Sequence, residues 1–245
     1  MANTLVFDIE TVPLDFDATF DDVQKEYLLR GLDTDEKKEN QKGLGGLNPL
    51  LGRVVCIGIY LAESKQGFGL YLGDEDQEEI VEADDMKIKY KTFLEEQDLL
   101  EHFWKGLTAD NYTAYVSFNG RGFDCPFLML RSAVLGIRPS VNLMAGTRWM
   151  FKVGAQNREV EHIDLLDKLT FNTGGFDKAG ATRKFNLDFY TKAFGVPSPK
   201  SGGITGHEVP EFFAQGRSRE IAEYCLRDVR ATSDLYEKWC ELLKF

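Results

Sequence analysis

Four carboxylates and one tyrosine carry the chemistry open to this chain of 245 residues. They fall in three short blocks: Leu5-Val-Phe-Asp8-Ile-Glu10-Thr11, Asn119-Gly-Arg-Gly-Phe123-Asp124 and Tyr224-Cys-Leu-Arg-Asp228. Each block sets acid on an otherwise apolar element, where a carboxylate is costly unless a cation pairs with it. Asp8 and Glu10 are two apart, so on a strand they share a face. Side by side they oppose each other's ionisation. A bound Mg²⁺ or Mn²⁺, which prefers hard oxygen ligands, reverses that sign. The alternative is a water-facing pair at a strand end, and the apolar Leu5, Val6, Phe7 and Ile9 weigh against it.

Asp124 precedes Cys125-Pro126. An acid before a proline-containing first turn is a natural helix cap, so capping competes with metal binding at this position. Tyr224 and Asp228 are four apart and share a helix face with Ile221, Cys225, Thr232, Leu235 and Trp239. That face packs inward, which leaves Asp228 in need of a partner. A salt bridge, or a surface position if the periodicity is misleading, is the alternative to a metal.

The elements that must position these groups follow from periodicity. Thr4 to Ile9 reads as a buried strand, and Arg53 to Leu61 and Gly67 to Leu72 as two more, giving an antiparallel meander. Thr92 to Leu107 shows a broad apolar helical stripe. Tyr112 to Phe118 is a strand, Pro126 to Leu135 a helix, and Val160 to Leu165 a short strand. Helices follow at Leu187 to Phe194, Val209 to Gln215 and Arg219 to Leu243. Three meandering strands followed by strand–helix alternation predict an α/β fold: a mixed five-stranded sheet flanked by helices. Residues 12–50, with a short helix near Val23 to Leu29, and residues 74–90 read as insertions in a single domain spanning 1–245. The acidic runs within both read as solvated.

Composition narrows the class. A hydrophobic fraction of 43% fits a globular protein, and a net charge of -11 argues against a generally basic nucleic-acid coat protein. Any nucleic-acid contact must therefore be local. No basic leader or membrane-length apolar run is seen, so the chain reads as cytoplasmic, with no membrane partner. Cys56, Cys125, Cys225 and Cys240 show no zinc spacing and read as reduced thiols in or near the core.

The three blocks resemble the exonuclease motifs of the DEDD 3′-5′ exonucleases, which have an RNase H-like fold. Tyr224-x3-Asp228 matches the tyrosine variant, DEDDy. The similarity is to stand-alone proteins like the exonuclease domain of B-family DNA polymerases. It is carried also by Ser117 to Leu128, His162-Ile-Asp-Leu-Leu166 and Tyr224 to Tyr236. It implies two divalent metal ions, Mg²⁺ or Mn²⁺, with Asp8 bridging both. Glu10 and Asp228 would complete the nucleophile-side metal, Asp124 would hold the other, and Tyr224 would orient the attacking water. The implied activity removes nucleoside 5′-monophosphates from a single-stranded or frayed 3′ end, DNA being favoured. The rivals are an exoribonuclease and a non-catalytic nucleic-acid-binding module. Asn119 is expected at the terminal nucleotide, Phe123 as a stacking or a core ring. Arg183 and Lys184, with Lys200, lie in glycine-rich segments that either grip phosphates or merely connect. Asp164 reads as a cap for the following turn, the alternative being a further acid of the site, and His162 as an ordinary strand histidine. A separate polymerase or repair factor is a compatible partner, and the sequence leaves the oligomeric state open.

Overall fold

The structure is a computed structural model describing residues 3–83, 85–145, 161–175, 179–199 and 204–244. Its centre is β1 (Thr4–Pro13), paired antiparallel with β2 (Gly52–Leu61) and parallel with β6 (Ala114–Ser117). β3 (Gln66–Leu72) joins β2, and β7 (Glu161–Asp164) joins β6. These are the five expected strands, but the sheet has seven, in the order β4-β5-β3-β2-β1-β6-β7.

The two additional strands, β4 (Glu78–Ala83) and β5 (Met86–Phe93), come from the residues expected to be a solvated insertion. β5 alternates: Ile88, Tyr90 and Thr92 are buried, and Lys87, Lys89 and Lys91 face the other way. The β4 acids meet those lysines, with Glu78 opposite Lys91, Glu82 opposite Lys87, and Glu78 ion-paired with Lys89 at 2.7 Å. Opposite charges across a strand pair favour this arrangement. The expected helix from Thr92 is correspondingly shorter: β5 runs through Phe93, and α4 spans Glu96–Gly106. Residues 12–50 hold α1 (Phe16–Thr19), α2 (Asp22–Leu29), α3 (Asp35–Gly43) and a 3₁₀ turn at Leu44–Leu47.

Alternation along β1 assigns its two faces. Phe7 packs toward α4 through Phe103, ring centroids 6.0 Å apart, and toward His162 at 5.8 Å. Asp8 and Glu10 point the other way, toward α9 (Ser218–Leu242). α9 lies across β1, β2 and β3, and glycine makes the approach close. Gly58 stands opposite Asp8 on β2, and a Cβ there would come within 2.8 Å of Cys225 Sγ and 3.1 Å of its carbonyl oxygen. The remaining helices are α5 (Asp124–Val134), α6 (Leu165–Leu169), α7 (Leu187–Ala193) and α8 (Val209–Ala214). A bidentate Arg131–Glu96 pair, both residues buried, ties α5 to α4, and Glu96 also accepts the N–H of Val54 at 2.8 Å. No described helix is long and apolar enough to cross a membrane.

Candidate functional site

Asp124 is the first residue of α5, and its side chain does not cap that helix. Oδ1 instead accepts the N–H of Ile9 at 3.1 Å. The β1–β6 pairing ends at Val6, so the carboxylate takes the place of a strand partner for the next stretch of β1. The capping alternative is therefore set aside, and Asp124 lies against the strand that carries Asp8 and Glu10.

α9 brings in the third block. Tyr224 and Cys225 are buried and Asp228 half-buried. Cys225 Sγ donates to the Asp8 carbonyl at 3.5 Å and reaches its Oδ2 at 3.7 Å. Donor atoms of Asp8, Glu10 and Cys225 all lie within 4.8 Å of one another. Asp8 also shares a hydrogen bond with Asp124, and Tyr224 shares one with Asp228.

The electrostatics follow from this crowding. Burial pushes the Asp8 carboxyl well above the usual carboxylate range, and the charges of Asp124, Glu10 and Asp228 push it further. Burial likewise raises Glu10, with Asp228 and Asp124 adding to it. Asp124 is raised to about 7 by burial, against the opposing pull of backbone N–H groups. Asp8 and Glu10 are open to a cleft on one side, yet enough protein surrounds them to favour their neutral forms. Burial also raises the Tyr224 hydroxyl, as do Asp228, Glu10 and Asp8. The Cys225 thiol is raised by burial and stays neutral, a poor ligand for a hard cation. Mutually repelling oxygens are the donor set that Mg²⁺ or Mn²⁺ suits.

Two clefts flank this cluster. One of about 560 Å³ is bordered by Asp8, Asp228, Asn119, Arg183, Lys184 and Phe189. The other, about 540 Å³, is bordered by Glu10, Tyr224, Asp228, Phe123, Leu44 and Leu47. Asn119 and Phe123 thus reach the site by different routes. Asn119 adopts a left-handed φ of 64°, and Phe123 is half-buried against Phe127 at 5.5 Å. Arg183 and Lys184 border the first cleft, Lys184 being ion-paired with Asp167 at 3.0 Å. Lys200 lies outside the described residues.

Asp164 has a larger role than capping. It accepts the N–H of Leu166 at 3.0 Å as the cap of α6, and also those of Asn119 (3.0 Å) and Arg121 (2.9 Å). It therefore holds the turn that presents Asp124. His162 is a core residue: Ser117 Oγ lies 2.8 Å from its Nε2, and burial lowers its pKa to about 3. All four cysteines are free, three buried and Cys240 half-buried. The exposed Leu44 and Leu47 at the second cleft were not singled out in the sequence, because nothing local distinguishes them from loop residues.

Known proteins resemble this chain in sequence and fold. A DNA polymerase of Pyrococcus glycovorans is 24% identical over 147 residues, which cover 57% of this chain and 18% of that protein. DNA polymerase 1 of Pyrococcus abyssi is 24% identical over 174 residues, 66% of this chain and 21% of that one. The chain thus spans about a fifth of the length of these relatives. The family B DNA polymerase of the hyperthermophilic archaeon Pyrobaculum calidifontis shares the fold, with a TM-score of 0.54 and 20% identity over 98% of this chain and 24% of that one. A family match covers residues 48–243. It includes Asp124, Tyr224 and Asp228, while Asp8 and Glu10 precede it and join them through the geometry above. Over that span the chain belongs to the family of predicted 3′-5′ exonucleases related to the exonuclease domain of PolB.

Proposed function

We propose that the chain is a metal-dependent 3′-5′ exonuclease of the DEDDy type, releasing nucleoside 5′-monophosphates from a single-stranded or frayed 3′ end, DNA being favoured. The observation that carries the reading is the convergence of four carboxyls from β1, α5 and α9, with Asp8 repelled by the other three at once. Such repulsion is relieved when divalent cations bind, and exonuclease domains of this kind generally use them. The domain is read as one unit spanning 1–245.

Each residue then has a task. Asp8, hydrogen-bonded to Asp124 and close to Glu10, would be shared by two cations. Glu10 and Asp228 would complete one of those sites and Asp124 the other. Cations held there supply Lewis acidity for both the attacking and the leaving oxygen of an in-line displacement. Tyr224 would orient the attacking water through its hydroxyl. It does not act as the base, because its hydroxyl lies above even the ordinary phenol range, near 10. Asn119 would contact the terminal nucleotide. Phe123 would face a base from the second cleft, and Lys200 would meet phosphate.

End-labelled single-stranded DNA and RNA, incubated with Mn²⁺ or with EDTA beside an Asp8→Ala variant, test the reading. A ladder shortening from the 3′ end, lost in EDTA and in the variant, is the expected result. Faster loss of RNA would move the substrate class to RNA. Equal degradation by Asp8→Ala would overturn the site.

A further inference from the structure

Phe189 stands apart from the packing of its own helix. α7 sets Leu187, Tyr190 and Phe194 against the cluster formed by Leu235 and Trp239 of α9. Phe189 is 54% exposed and belongs to neither apolar cluster among the described residues. Its ring is stacked on Phe185, with centroids 4.3 Å apart and planes 12° from parallel. The guanidinium carbon of Arg183 lies 4.6 Å from the centre of the Phe185 ring. Helix packing accounts for Phe185, which precedes the N-cap Asn186 and sets its edge against Tyr190 at 6.4 Å, as a residue flanking a helix start does. It does not account for an exposed Phe189. All three side chains line the cleft that holds Asp8 and Asp228.

We propose that Arg183, Phe185 and Phe189 form a stacking platform for unpaired bases of the substrate strand, with the Arg183 cation also serving its phosphates. The inference rests on the exonuclease reading and names how that site holds a single strand. Phe185 covers part of the Phe189 ring, and the exposed remainder is open to a third flat partner. Every nucleobase offers such a face, so the contact tolerates sequence, and a guanidinium beside the rings adds cation–π attraction. In a chain of net charge -11, a local cation beside the acidic cluster is where a polyanion can approach. A base pair cannot offer its faces while stacked within a duplex, so the platform favours frayed ends over paired ones.

The test uses the full chain with Mn²⁺ and two substrates: a single-stranded oligonucleotide and an abasic strand of the same length, a phosphodiester that carries no base or other flat ring. Phe189→Ala should raise KM on the oligonucleotide about 5- to 150-fold, the range that loss of one base–aromatic stack implies. Its kcat, and its rate on the abasic strand, should stay within about twofold of wild type. Phe189→Trp should restore KM, whereas Phe189→Leu, apolar but without a π-face, should resemble Phe189→Ala. Wild-type KM in Phe189→Ala or in Phe189→Leu would overturn the platform, as would parallel loss on both substrates, which marks a structural role. Oligonucleotide binding is also followed by fluorescence anisotropy. If wild-type protein cleaves neither substrate, the exonuclease reading fails, and the wild-type to Phe189→Ala ratio of Kd still decides the platform.

Discussion

The N–H of Ile9 donates to Oδ1 of Asp124 across 115 positions of sequence, at 3.1 Å. This bond extends the hold of β1 beyond its pairing with β6, and it turns an acid suited to cap a helix into a neighbour of Asp8. Asp124→Asn keeps an amide oxygen for Ile9 but removes the charge. The fold should persist, with a melting temperature close to wild type, while exonuclease activity falls at least about a hundredfold. Retained activity would show that Asp124 serves β1 and not the reaction.

Protons and cations compete for the same oxygens. The Asp124 carboxyl is raised to about 7 in the metal-free fold, against about 3.9 in an unfolded chain. Between those values the folded state holds the proton and the unfolded state does not, so stability falls as pH rises from about 4 through about 7. Chelator-treated wild type should lose melting temperature across that window more steeply than Asp124→Asn, whose amide does not titrate. Mn²⁺ should reverse the trend and stabilise most at the alkaline end, since deprotonated carboxylates bind it. Parallel pH curves for the two proteins would refute the assignment.

Close contact between α9 and the sheet depends on Gly58. A methyl group there would press on Cys225 Sγ at 2.8 Å and on its backbone at 3.1 to 3.2 Å. Gly58→Ala should destabilise the protein by about 1–3 kcal/mol, the range for overpacking. Because Cys225 lies between Tyr224 and Asp228, activity should drop by more than the loss of folded protein explains. Urea titration beside specific activity separates the two effects.

Tyr224 differs from the acids in carrying no charge. Tyr224→Phe removes the hydroxyl that meets Asp228 and keeps the ring. Its kcat should fall about tenfold, a loss of about 1.4 kcal/mol in transition-state stabilisation, while the shape of its pH–rate profile is unchanged. Loss of an alkaline or acid limb would mean that the tyrosine itself titrates during the reaction.

The acids of the site were legible because each sits on a strongly patterned element, where a lone carboxylate is conspicuous. The meander and the long α9 were legible for the same reason. β4 and β5 were not: the alternation of Met86-Lys-Ile-Lys-Tyr-Lys-Thr-Phe93 is a clear strand signal, but the acidic run before it suggested solvent. Its charges are in fact matched across strands, with Glu78 opposite Lys91. The cap that Asp164 makes on Leu166 was legible, but its grip on Asn119 and Arg121 could not be read locally. Its donors lie up to 45 positions away, and only the β6–β7 pairing brings them together. The stack of Phe185 on Phe189 was not legible, because Phe185 lies before the N-cap Asn186 and spacing alone does not set its ring beside an exposed helix residue.

β4 is the outermost strand on its side of the sheet, and Glu78, Glu79 and Glu82 stand exposed along it. A second molecule brought up edge to edge would set its own glutamates beside these. Like charge at that margin discourages the two sheets from zipping into one continuous ribbon.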